Sequence, residues 1–361
     1  MKRRISSALL TAGLLSSMTG CIESALNPTD PVAVSGSALN EDKTPLANAD
    51  LILGRSDNST CALIVSNFAT VKTDGHGAWS WKGTGADTQN GDLARCFRIS
   101  LPTATDESYA QHDYLVQITD VKVPALQRWT GQPAVAQTAN GATITFKPIS
   151  DSQTISADGS PNFFLKRSAT GSDLWWRVIN PQGSITLSDE VLEEHADLKG
   201  QLIVYGQVKG SGTTFKSQFD SATAAVTGHG KVPASRGATC SFIETQPCKL
   251  TDGDAAQQVE SGDKAPMEAK ITLAAPKLLK KAVFRNFTVG VNAKSITIEG
   301  SSDGTTFTQL AQVTDAAVIG SAFFEVPLTG TAAVSQVRIK STDQSNNPNR
   351  LTGASEISLF E

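Results

Sequence analysis

Histidine is scarce in this chain: there are four among 361 residues, alongside three methionines and three tyrosines, and aromatic residues make up 6% of the whole. The sequence contains no H-E-x-x-H, no P-loop and no G-x-G-x-x-G, which removes the ready-made zinc-protease, nucleotide and dinucleotide signatures. No two cysteines have C-x-x-C spacing, so a structural zinc site is not indicated. Positive charge is never gathered into a run inside the chain, and the net charge is -4. A chain of that balance is a poor holder of phosphate backbones, which excludes nucleic acid as a partner. Long apolar runs are missing too. The uncharged N-terminal stretch, 5–18, is too short to span a bilayer; with Lys2, Arg3 and Arg4 before it and small residues after it, it reads as a secretory signal.

The histidines that are present sit in bland settings. His76 falls in a turn, His112 in a loop beside Asp113, His195 on a short helix and His229 in a glycine-rich linker. A hydrolytic triad needs one of them beside an activated Ser or Cys and oriented by a carboxylate. "GSSDG", Gly300 to Gly304, satisfies the letters of a nucleophile elbow. The flanks "SITIE" and "TTFTQL" are strand-like on both sides, whereas an elbow passes from strand to helix, so the Asp303-Gly304 pair reads as a hairpin turn. The chain reads as a non-enzyme.

What the chain has in quantity is short alternating runs of β-branched and aromatic residues separated by Gly, Asn, Asp and Pro, the texture of sandwiches. The expected fold class is all-β, as tandem β-sandwiches. One short helix is predicted over Asp189 to Leu198, with Ser188 as N-cap and Gly200 as stop. Apart from Cys21 there are four cysteines: Cys61, Cys96, Cys240 and Cys248. An even number in an exported chain suggests two disulfides, with three connectivities; Cys61 to Cys96 and Cys240 to Cys248 is the natural choice because the two pairs lie far apart.

Several stretches resemble known families. "SSMTGC", ending at Cys21, is similar to the lipobox of bacterial lipoproteins, although Met18 replaces the commoner Leu. That resemblance implies removal of residues 1–20, acylation of Cys21 (palmitate among the chains), a tether over 21–30 and a membrane partner through the lipid. Ile22, where inner-membrane retention would usually place Asp, points to the outer membrane. Residues 31–125 look like a carboxypeptidase regulatory-like sandwich through Ser35-Gly36, Pro45 to Ala49 and Thr73 to Trp79, a domain type that usually serves as a stalk. Residues 126–228, with the Trp175-Trp176 pair and Tyr205, are weakly similar to a fibronectin type III or immunoglobulin-like sandwich.

Residues 233–361 resemble a discoidin-like, galactose-binding-like jelly-roll sandwich. The matching residues are Leu250 to Asp254, Glu299 to Gly304, Val337-Arg338-Ile339 and Ser355 to Leu359. The resemblance implies a structural calcium held by the Lys249 carbonyl, Asp252, Asp254 and Glu356. It departs from the family at Gln257 and Val259, and a plain Asp-Gly turn is the other reading. An EF-hand is excluded, because counting from Asp252 puts Ala256 and Gln257 at its fifth and sixth positions. The family's ligand surface implies Phe242, Arg285, Asn286, Asn347, Asn349 and Arg350 as sugar contacts. The expected function is non-catalytic binding of a glycan or cell-envelope component, with adhesion as one use. A structural or assembly accessory subunit docking an envelope protein is the alternative.

Overall fold

The computed structural model describes residues 27–56, 66–88, 96–102, 108–115, 120–147, 149, 161–167, 178–179, 183–209, 214–241, 248–253, 259–260, 268–285, 293–315, 323–343 and 353–361. The architecture is all-β, as the alternating texture predicts. Strand Thr214–Asp220 shows the local cause: Phe215, Ser217 and Phe219 point into the core, while Thr214, Lys216 and Gln218 point out. Hairpin chemistry is equally local. Between strands Ser66–Lys72 and Ala78–Thr84, the Asp74 carboxylate accepts the His76 and Ala78 N–H groups at 2.8 and 2.9 Å. Between Ala293–Ser301 and Thr308–Val313, Gly304 adopts φ +76° and donates its N–H to the Ser301 hydroxyl at 2.9 Å. Ser301 and Ser302 are therefore turn residues, and "GSSDG" is a hairpin.

Among the described residues, one nine-stranded sheet dominates the N-terminal two-thirds. Along its main path the order is Val178–Ile179, Pro161–Arg167, Leu198–Lys209, Thr214–Asp220, Tyr109–Leu115, Cys96–Pro102, Asp50–Ser56 and Ser66–Lys72. Thr214–Asp220 pairs antiparallel with Tyr109–Leu115, so this sheet runs across the boundary expected at 125/126. Two smaller sheets supply the opposing layers. One pairs Pro31–Leu39 with Ala78–Thr84 and Asp120–Lys122; the other orders Ser184–Ser188, Gly141–Thr145 and Ala134–Thr138. All three sheets share one apolar core, with Val34, Leu53, Ile99, Trp129, Ile144, Phe163 and Phe215 buried in it. Each such side chain contributes about 1.5–3 kcal/mol by leaving water.

The C-terminal part is a sandwich with its own core. A sheet ordered Thr239–Cys240, Glu268–Lys277, Val334–Asp343, Ala293–Ser301 and Thr308–Val313 faces a sheet of Phe323–Pro327, Lys281–Arg285 and Glu356–Phe360. Ile271, Ile298, Val337 and Ile339 from the first meet Phe284, Phe324, Ile357 and Leu359 from the second. Parity along the smaller sheet divides its residues sharply. Ala282 and Phe284 enter this core, whereas Val283 and Phe360 belong to the core of the N-terminal part. The smaller sheet is thus covered on both faces, and every residue of Glu356–Phe360 is buried.

The helix is shorter than predicted. It spans Asp189–Leu192 and ends at Glu193, whose φ of +53° lies in the left-handed region. His195 is consequently off the helix and buried, at 7% exposure, rather than on an exposed helical face.

Candidate functional site

The junction between the C-terminal sandwich and the rest of the chain is built from buried charge. The sharp turn after Asp189–Leu192 carries Glu193, which is 1% exposed, into the small sheet's outer face. Its carboxylate accepts from Arg285 at 2.9 Å, from the Ser358 hydroxyl at 2.5 Å and from Arg236, with His195 3.7 Å away. Arg236 then forks outward: its Nη1 donates to Glu356 at 2.9 Å and its Nε to Glu194 at 3.1 Å. Arg285 also donates to the Val191 carbonyl at 3.0 Å and to Ser358 at 2.9 Å. Beside this network, Glu190 bridges Lys231 at 2.6 Å and Lys281 at 3.1 Å, and Lys281 reaches Glu325 at 3.1 Å.

The electrostatics follow from burial against pairing. Burial works to raise Glu193, but Arg285, Arg236 and the Ser358 hydroxyl overcome it and hold the carboxyl below its ordinary range. Glu356 goes the other way, pushed up by burial to about 8 against the pull of Arg236 and Arg285. Glu190, closer to solvent, is held at about 2 because Lys231 and Lys281 outweigh its burial.

This geometry bears on two expectations. Arg285 is 4% exposed and tied to Glu193, Ser358 and Val191, so it is not a sugar contact; the odd positions of Lys281–Arg285 face the middle of the chain. Within the expected calcium set, Glu356 is already engaged by protein donors. The two oxygens of Glu356 accept from Arg236 and from the Gly253 N–H, at 2.9 and 3.1 Å. The Cys248, Leu250 and Thr251 carbonyls accept N–H groups of Thr251, Ile357 and Gly237. A hard cation needs six to eight oxygens aimed at one point; here a guanidinium stands against Glu356. Asp252 is exposed and lines a cleft of about 320 Å³ with Glu194, Asp197 and Arg236. Adding a chelator is therefore expected to leave the thermal unfolding midpoint of the protein unchanged, and a downward shift reversed by calcium would show that the cation is bound after all.

The Cys240–Cys248 disulfide is formed, with a Cα–Cα distance of 5.6 Å, and both cysteines are buried. Asp254, Phe242, Asn286, Asn347, Asn349 and Arg350 lie outside the described residues, as do Cys21, Cys61 and the Trp175-Trp176 pair. For Cys96 only the strand Cys96–Pro102 is described.

One serine–histidine pair was not anticipated. His112 is on a strand, not in a loop, and its Nδ1 lies 2.8 Å from the Ser217 hydroxyl across neighbouring strands. A nucleophile needs access and an orienting carboxylate. Both residues are sealed beneath Phe215 and Phe219, at 1% and 4% exposure, and the other ring nitrogen faces the Ala125 carbonyl at 3.3 Å. The pair satisfies buried polar groups within the core.

No protein-family model and no curated protein matches the chain. Several solved structures do. One is CpGH89CBM32-5 from Clostridium perfringens, in complex with GalNAc-beta-1,3-galactose; it is 12% identical over 34% of this chain and 94% of that one, with a TM-score of 0.29. A second is chitosan-binding module 1 of a chitosanase/glucanase from Paenibacillus sp. IK-5, at 19% identity over 36% and 98%, with a TM-score of 0.30. A third is CBM32-3 from a family 31 glycoside hydrolase of Clostridium perfringens, at 15% identity over 35% and 92%, with a TM-score of 0.29. This chain is similar to each of these over about a third of its length, and likeness at TM-scores near 0.3 carries no functional conclusion by itself.

Proposed function

We propose that this protein is a non-catalytic binding protein of the bacterial cell envelope, anchored by acylation of Cys21 at the outer membrane, that recognises a glycan through its C-terminal sandwich. The observation that carries the reading is an asymmetry between the sandwich's two ends. In the antiparallel registers, Arg285 pairs with Phe323 and Glu356, and Asp343 pairs with Ala293. The chain crosses between the sheets at that end three times, through 286–292, 314–322 and 344–355. At the opposite end the connections include the short turn 278–280 and the Asp303 hairpin. Long connections gathered at one end of a rigid sandwich are where binding residues concentrate. Asn286, Asn347, Asn349 and Arg350 fall in those connections by sequence, and Phe242 follows Cys240, whose strand heads the same way.

A glycan array probed with the soluble chain lacking residues 1–21 tests this. Binding of at least one sugar is expected, weakened by about tenfold or more in Arg350→Ala and Phe242→Ala. Binding that survives both substitutions would move the face elsewhere. Binding to no sugar, with an envelope protein co-purifying instead, would select the accessory-subunit alternative, which the rigid docking of the C-terminal sandwich also suits.

A further inference from the structure

The outer face of the five-stranded sheet in the C-terminal sandwich carries more positive charge than it neutralises. In the strand register, Lys270 of Glu268–Lys277 stands directly opposite Arg338 of Val334–Asp343, and Arg338 stands opposite Glu299 of Ala293–Ser301. Lys340 follows on the same face, opposite Glu268 and Thr297. Alternation makes this the outward face, because Ile271, Ile298, Val337 and Ile339, which lie between these residues, enter the core. Directly opposed side chains have Cβ atoms about 4.5–5.5 Å apart, and like charges placed so destabilise a sheet. Lys270 and Arg338 are such a pair.

The acids of this face leave the repulsion standing. Glu299 accepts from Arg338 Nε at 2.5 Å and pairs with Lys340 at 3.1 Å. Burial works to raise its carboxyl, but Arg338 and Lys340 hold it below its ordinary range, so it stays ionised. Lys270 forms no ion pair with any described residue, and neither does Glu268, exposed at the start of the same strand. Three cations against two carboxylates leave one positive charge over. The two Nη groups of Arg338 find no acceptor among the described residues. Phe307, in the Asp303 hairpin, fixes where these charges stand. The Arg338 guanidinium lies 4.1 Å from its ring centroid, and the Lys270 ammonium lies 5.9 Å from the same point.

We propose that Lys270 and Arg338, set against Phe307, form a second binding site, separate from the loop end of the sandwich, for the carboxylate of a uronate-bearing polysaccharide. One surplus charge matches a singly charged oxyanion, and the paired Nη groups match the two oxygens of a carboxylate. Around the cations the face offers Thr272, Gln309 and Gln312, all exposed, with Thr297 and Gln336 half-buried. Hydroxyls and amides both donate and accept, which suits the sugar hydroxyls flanking the acid. An anionic membrane surface is read by clusters of about 4–8 basic residues, more than this face carries.

Calorimetric titration of the full chain at low salt with oligogalacturonate and with alginate oligosaccharide tests the site. At least one is expected to bind, and to weaken by about tenfold or more when its carboxylates are methyl-esterified and, separately, in Lys270→Gln. Lys270→Glu is expected to abolish binding. Since Lys270 has no ion pair to lose, Lys270→Gln is expected to keep or raise the melting midpoint of the unliganded protein. A lowered midpoint would make the lysine a structural partner and overturn the site. No binding of either oligomer, equal affinity for the methyl esters, or affinity within about twofold of the parent in Lys270→Gln would overturn it too. Oligoglutamate or phosphatidylglycerol vesicles bound as tightly would reassign the face to an acidic peptide or a membrane. Binding lost in Arg350→Ala and untouched in Lys270→Gln would place the uronate at the loop end and overturn this site. The loop-end reading is judged on the glycan array and fails independently.

Discussion

Arg236→Ala is expected to destabilise the protein by about 3–5 kcal/mol, the scale for removing one partner from a buried charge network. The guanidinium contacts Glu193, Glu194 and Glu356, and two of those carboxylates are buried at 1% and 2% exposure. Without it, Glu193 keeps Arg285 and Ser358, but Glu356 keeps only the Gly253 N–H among its bonds described above, and both acids remain out of water. Arg236→Lys is expected to recover part of the loss, because a single ammonium cannot repeat a three-way fork. Glu194→Ala, at the partly exposed limb of the same fork, is expected to cost no more than about 1 kcal/mol. Denaturant unfolding of the three variants measures the ordering, and an Arg236→Ala midpoint equal to the parent's would mean that water replaces the guanidinium freely.

Trp129→Ala is expected to cost about 3–5 kcal/mol, the range for truncating a large aromatic in a packed core. Trp129 is 1% exposed, and its indole N–H donates to the Lys147 carbonyl at 3.2 Å. Gly131, at φ +64°, packs so close that a Cβ there would stand 3.1 Å from the indole ring and 2.7 Å from Ser221. Because the three N-terminal sheets share one core, the loss is expected to lower a single transition for residues 31–226. Two separate transitions, only one of them moved, would show that the shared core does not couple the sheets. Trp129→Phe keeps much of the volume and is expected to lose less.

Much of the fold was legible because it is locally determined. Alternation gave the strand character, Asp74-Gly75 and Asp303-Gly304 gave their hairpins through side-chain acceptors and a left-handed glycine, and the Cys240–Cys248 bridge spans only 8 residues. The candidate site was less legible, since the deciding contacts are long-range. Period-2 patterning puts Arg285 and Phe284 on opposite faces, but it does not reveal that a second layer covers Arg285. Glu356 entered the cation set only through the family resemblance; Arg236, 120 residues away, carries no local mark of being its partner. The same holds for His112 and Ser217, and for the sheet that crosses residue 125, since an edge strand reads alike whichever strand it finds.

That crossing strand pair has a consequence for the order of events as the chain is made. Tyr109–Leu115 presents an open edge until Thr214–Asp220 arrives to pair with it, and Gln111 and Gln218 are 107 residues apart. Closing so long a loop is slow relative to local hairpins. Emerging N-terminus first, the first half of the chain has its hairpins early but waits with an unpaired edge of the kind that invites aggregation. A holding chaperone would have its most useful target in that interval, and fragments ending before residue 214 are the species that would need it most.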